Sequence, residues 1–143
     1  IYWVKGDIFK NEPLSFLLED SEIHETIAPF FMARIVDVKE FLLEYPFAKK
    51  TAKPFYFVVE DPVATWNTGI FALEWDSSGK LTVSDQPKGK RISLTIQTLT
   101  CMLMNYRRAA YLARIERLDA DKEAIELLET IIPDMEAYFS DYF

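Results

Sequence analysis

Between Lys53 and Ile96 the chain sets short runs of alternating apolar residues between clusters of turn formers, and this constrains the fold most. In "KPFYFVVEDP" (53–62), Phe55, Phe57 and Val59 take one side of a strand, and Tyr56, Val58 and Glu60 the other. In "TGIFALEW" (68–75), Gly69, Phe71, Leu73 and Trp75 share a face. "DSSG" (76–79) supplies hairpin-turn chemistry and "KLTVS" (80–84) follows as a third strand. "DQPKG" turns the chain again before "KRISLTI" (90–96), where Ile92, Leu94 and Ile96 alternate. The pattern predicts an antiparallel meander of four strands.

Helical spacing flanks this block. Ahead of it, "FFMARIV" (30–36) reads as a strand buried on both faces. "DVKEFLLEY" follows, with Asp37 and Glu40 at capping-box spacing. Val38, Phe41, Leu42 and Tyr45 lie on one helix face, and Pro46 stops the run. Beyond the strands, "QTLTCMLMNY" (97–106), "RAAYLARIERL" (108–118) and "DADKEAIELLETII" (119–132) carry apolar stripes, the last ended by Pro133. "IYWV" at the start reads as a short strand and "PLSFLLEDSEIHE" from Pro13 as a short helix. The expected class is α+β: a mostly antiparallel sheet of about five strands with helices on one face. Residues 29–143 form the domain, and residues 1–28 read as a linker or the tail of a preceding region.

The 143 residues are half hydrophobic, which suits one domain with a real core. No apolar run reaches the 18 or so residues that a membrane span needs. The opening shows no basic segment followed by an apolar run, and it begins with Ile, so a fragment, processed product or excised domain is expected. The formal net charge of −7 argues against a nucleic-acid reader. From Glu116 onward nine acids face two bases, which suits a cationic partner or equally a solvated helix face.

One Cys and one His leave little catalytic choice. Cys101 has no partner for an intrachain disulfide, fits a reducing cytoplasm, and reads as core. His24, within "SEIHE", reads as a surface residue, and zinc clusters of the usual kind are excluded. The four glycines are scattered, so no phosphate-cradling loop is written here. Trp66 and Asn67 lie in an inter-strand connection. They read either as a turn and a plug at the sheet end or as a contact for substrate or a neighbouring domain. Arg107 and Arg108 are placed to cap helix carbonyls or to pair with the acidic helix at 119–132. The chain ends "AYFSDYF", with Tyr138, Phe139, Tyr142 and Phe143 around Asp141.

Four phrases in order carry a family likeness: "PFFMARIVDVKEFLLEYPF" (29–47), "EDPVATWNTGIFALE" (60–74), "SLTIQTLTCMLMNYRRAAYLARIERL" (93–118), and a last helix, a proline and a final Asp-Tyr-Phe. Together they resemble the C-terminal domain of enhanced-intracellular-survival type acetyltransferases, members of the Gcn5-related N-acetyltransferase superfamily. That domain is similar in fold to sterol carrier protein 2. The resemblance implies that acetyl-CoA binds to an N-terminal domain not contained here, so this chain alone should not transfer acetyl groups. It implies a homo-oligomer acting on a small cationic amine. It also implies that the α-carboxylate of Phe143 is a general base; Trp66, Asn67, Asp141 and Tyr142 are the candidates for the substrate cavity or an interdomain contact. A free α-carboxyl has a pKa of about 3.5, too acidic for a good base near pH 7. Burial among aromatics would raise it; equally, those aromatics simply seat the tail.

Two other functions stay open. A standalone lipid-binding module of the sterol-carrier kind would need an apolar tunnel, for which Phe55, Phe57, Phe71, Leu73, Trp75 and Met102 are the lining candidates. At strand alternation the same residues make a filled core. A purely structural interaction or assembly domain is the other.

Overall fold

A computed structural model describes residues 32–135, and all of these except Met32 belong to one unit, Ala33–Ala137. The expected strand "IYWV", the helix from Pro13, His24, and the terminal Asp141, Tyr142 and Phe143 lie outside the described residues.

The order of elements is α1 (Val38–Glu44), β1 (Phe55–Glu60), a 3-10 turn (Thr65–Asn67), β2 (Gly69–Trp75), β3 (Leu81–Ser84), β4 (Lys90–Thr95), α2 (Ile96–Leu103), α3 (Ala109–Arg114), β5 (Leu118–Ala120) and α4 (Lys122–Ile131). The helix starts follow the sequence. Asp37 caps α1 by accepting the Glu40 N–H, Thr95 caps α2 through Thr98, and Asp121 caps α4 through Ala124. Phe55, Phe57 and Val59 are buried, as are Leu73, Ile92 and Leu94. Val38 and Leu42 of α1 join the same core, with Leu99 and Met102 of α2, Leu112 of α3, and Leu128 and Ile131 of α4. The expected α+β class holds, with helices gathered on one face of a five-stranded sheet.

Two expectations are corrected. The strands do not form a meander of four: the sheet order is β3-β2-β1-β4-β5, and β4 runs parallel to β1, with Phe55 opposite Lys90 and Val59 opposite Leu94. Gly89 is the physical reason. It sits at φ +82°, and the next N–H, that of Lys90, donates to the Pro54 carbonyl at 3.1 Å. The chain therefore leaves β3 and re-enters beside β1 rather than folding back on β3.

The second correction is the strand expected at 30–36. Within the described residues, Ala33–Val36 belong to no strand. The fifth strand is Leu118–Ala120, which pairs antiparallel with β4 and sits where a helix was expected to continue. Ile35 is buried and Val36 exposed, but their backbone is met by side chains instead of a neighbouring strand.

Candidate functional site

The connection from β1 to β2 and the segment before α1 are joined by one polar cluster. Asp61 stands at its centre, with its side chain fully buried. Its Oδ1 accepts the backbone N–H groups of Val63 at 3.1 Å and Ala64 at 3.0 Å, the turn expected where an Asp precedes Pro. One Arg34 guanidinium nitrogen lies 2.6 Å from Oδ1 and 2.7 Å from Oδ2. Asn67 Nδ2 donates to Oδ2 at 3.1 Å. Burial alone would push the Asp61 carboxyl up. The Ala64 N–H, the Asn67 amide, the Arg34 guanidinium and the Val63 N–H outweigh it and hold the pKa at about 2.

Asn67 is buried and works in both directions. Its Oδ1 accepts the Val38 N–H at 3.0 Å, and its Nδ2 donates to the Val36 carbonyl at 3.0 Å. Thr100 adds a tie from α2: its hydroxyl donates to the Ile96 carbonyl at 2.8 Å and accepts the Ile35 N–H at 3.3 Å. Every oxygen of Asp61 is engaged by donors. The cluster therefore holds chain segments in place and leaves no basic lone pair for proton transfer.

Trp66 differs from its neighbour. Its indole N–H donates to the Val36 carbonyl at 2.9 Å, while 68% of the residue is exposed. Val36 and Val63, bonded into the same cluster, are also mostly exposed. Val36, Val63 and Trp66 thus expose apolar side chains beside a buried polar cluster, and exposed apolar patches of this kind mark surfaces that meet other protein.

Of the residues named from sequence, Trp66 and Asn67 lie together here. Asp141, Tyr142 and Phe143 lie outside the described residues. Arg108 does both things expected of it: Nε pairs with Glu129 Oε2 at 2.8 Å, and its other nitrogens reach the carbonyls of Glu129, Ile132 and Pro133 at the end of α4. Phe55, Phe57, Leu73 and Met102 pack as filled core, the two phenylalanines edge to face at 5.5 Å, and Trp75 covers Phe55 at 6.2 Å. Among the described residues no group of three or more His, Cys, Asp and Glu is placed to hold a metal ion. Nor is any helix there long and apolar enough to cross a membrane. Gly69 begins β2, while Gly79 and Gly89 stand in separate turns.

Sequence reasoning passed over Arg34 and Asp61. They are 27 positions apart, and only the Asp-Pro step hinted that Asp61 anchors a turn.

Comparison with known proteins gives the fold a context. The family model for the sterol carrier protein domain matches residues 38–140. No curated protein matches the chain significantly. Among solved structures, a conserved protein of unknown function from Enterococcus faecalis V583, described as a probable N-acyltransferase, aligns at TM-score 0.79 and 31% identity. The alignment covers 93% of this chain and 34% of that one. A GCN5-related N-acetyltransferase from Kribbella flavida aligns at TM-score 0.61 and 23% identity, covering 77% and 28%. Eis1 from Mycobacterium abscessus aligns at 0.58 and 21%, covering 75% and 26%. The last two likenesses are of fold alone. The chain spans about a third or less of the length of these structures.

Proposed function

This chain belongs to the sterol carrier protein domain family, and from that premise we propose that it is the C-terminal domain of an enhanced-intracellular-survival type Gcn5-related N-acetyltransferase. The observation that carries the proposal is the close match of nearly the whole chain to about a third of a probable N-acyltransferase. In this reading acetyl-CoA is bound by another part of the polypeptide, and the domain shapes the cavity for a small cationic amine. The acidic stretch from Glu116 onward suits such a substrate by charge. The exposed patch of Val36, Val63 and Trp66, tied by Trp66 and Asn67 at the Val36 carbonyl and by Asp61 at the Val63 N–H, is the proposed contact with a neighbouring domain. The enzyme is proposed to act in the cytoplasm as a homo-oligomer.

The proposal also gives the Phe143 α-carboxylate a chemical role. Before an amine attacks a thioester it must lose a proton, and a carboxylate held among aromatics is a competent acceptor. Tyr142 and Asp141 are then its neighbours at the cavity.

Two measurements test this. The intact mass and sequence of the natural polypeptide are expected to show acetyltransferase residues ahead of Ile1 and Phe143 as the last residue. In that polypeptide, one Gly added after Phe143 is expected to lower kcat at least about a hundredfold, within the range general bases supply, with folding unchanged. Undiminished turnover would remove the carboxylate from the mechanism. The absence of an acetyltransferase sequence upstream would remove the larger assignment.

A further inference from the structure

Helices α2 and α3 end in the same way. Asn105 and Glu116 both adopt φ +58°. Each of these N–H groups reaches back into its helix, Asn105 to the Met102 carbonyl at 3.1 Å and Glu116 to Ala113 at 3.0 Å. The following N–H groups reach one residue further back, Tyr106 to Cys101 at 3.0 Å and Arg117 to Leu112 at 2.9 Å. This is the left-handed helix stop with paired back-bonds. Its effect is to turn Tyr106 and Arg117 off the two helix ends and onto one open groove of about 360 Å³.

Cys101, Arg107, Tyr111 and Ile115 line the same groove. The Arg107 guanidinium lies 4.3 Å above the Tyr106 ring and 5.6 Å from that of Tyr111, and Arg114 lies 5.2 Å from Tyr111 on its other approach. The stacked rings hold the guanidinium planes in place. No carboxylate lines the groove. The ion pairs among the described residues use Arg34, Lys88, Lys90, Arg91, Arg108 and Lys122, but not Arg107, Arg114 or Arg117. In a chain with 23 acids and 16 bases, Arg107 and Arg117 lining one groove, with Arg114 beside Tyr111 and none of the three ion-paired among the described residues, are a local reversal of the overall charge.

We propose that this groove binds an acidic peptide segment that also carries apolar side chains. Arginine forks take carboxylates two-pronged. A bare anion would use only the arginines, whereas exposed Ile115, Tyr106 and Tyr111 add apolar surface that a peptide side chain can cover.

The test uses the whole chain and fluorescence anisotropy with the labelled peptide EEFEELEE. Saturable binding that weakens with added salt is expected, while KKFKKLKK should not bind. Arg107→Ala and Arg117→Ala should each weaken binding about tenfold, the loss expected for one charged hydrogen-bonding group. Arg117→Lys keeps the charge but loses the fork, and should also bind more weakly. Lys49→Ala should bind as the parent does. Circular dichroism and Tm keep the readings separate from unfolding. No saturable binding, equal binding of the lysine peptide, or equal weakening by Lys49→Ala would overturn the proposal. So would inorganic phosphate binding as tightly as the peptide, since that would make this a small-anion site.

Discussion

The side chain of Asn67 pairs with the backbone of Val38 as a neighbouring strand would. It takes the Val38 N–H at 3.0 Å and returns an N–H to the Val36 carbonyl at 3.0 Å, the two-way exchange of a sheet ladder made by one carboxamide. Removing it strands a buried N–H. Asn67→Ala is therefore expected to cost about 2–4 kcal/mol in urea unfolding. Trp66→Ala, one residue earlier and mostly exposed, should stay within about 1 kcal/mol. Equal losses for the two would mean that the carboxamide does not hold the segment.

Acid should find Asp61. Its carboxyl has a pKa of about 2 in the folded chain, below its ordinary value of about 3.9 when unfolded. A depressed folded pKa contributes stability above the unfolded value, and that contribution fades as pH falls from about 4 through about 2. Thermal melts across this window should drop more steeply for the parent than for Asp61→Asn, which has no proton to gain. Parallel slopes would contradict the assignment.

Glu116 occupies a backbone position that favours glycine, φ +58° at the end of α3. Glu116→Gly relieves the side-chain clash and should stabilise the domain by about 0.5–1 kcal/mol, while Glu116→Ile should destabilise it. Denaturant midpoints for the pair decide it. A glycine variant weaker than the parent would show that the left-handed stop is not under strain.

Gly89 has no such latitude. A Cβ there would sit 1.8 Å from the Pro54 carbonyl oxygen, and its φ of +82° already excludes most side chains. Gly89→Ala should cost about 2 kcal/mol or more and weaken amide protection along β1 and β4 before β2 and β3. Uniform loss of protection would place the damage elsewhere.

The strands at 55–60 and 90–95 are legible because each buries one alternating set of side chains, whereas 69–75 buries the adjacent Ala72 and Leu73 and 81–84 alternates half-buried Leu81 and Val83 with exposed Thr82 and Ser84. Alternation records faces, not neighbours. Nothing in "KRISLTI" says that Ile92 will lie opposite Phe57, because parallel and antiparallel partners ask for the same side chains. The helix at 97–106 was read past its end because Tyr106 keeps the apolar spacing, while Asn105 had already turned the backbone left-handed. Residues 30–36 read as a strand from their apolar run, but at Ile35 and Val36 the backbone is tied by the side chains of Thr100, Asn67 and Trp66 rather than by a strand. Trp66 and Asn67 were singled out from sequence. Their hub, Asp61, was not, since its meaning depends on Arg34 arriving from a distant segment.

The parallel pairing of β1 with β4 sets an order of assembly. The β2–β3 hairpin closes on a four-residue turn and needs nothing beyond itself. Residues 55 and 90 meet only by enclosing that whole hairpin, and the entropy of so large a loop is lost before any contact repays it. Closure of the central strand pair should therefore be the slow event in folding. Until it happens the chain exposes Phe55, Phe57 and Ile92 together, which makes the interval before closure the one in which self-association competes with the native fold.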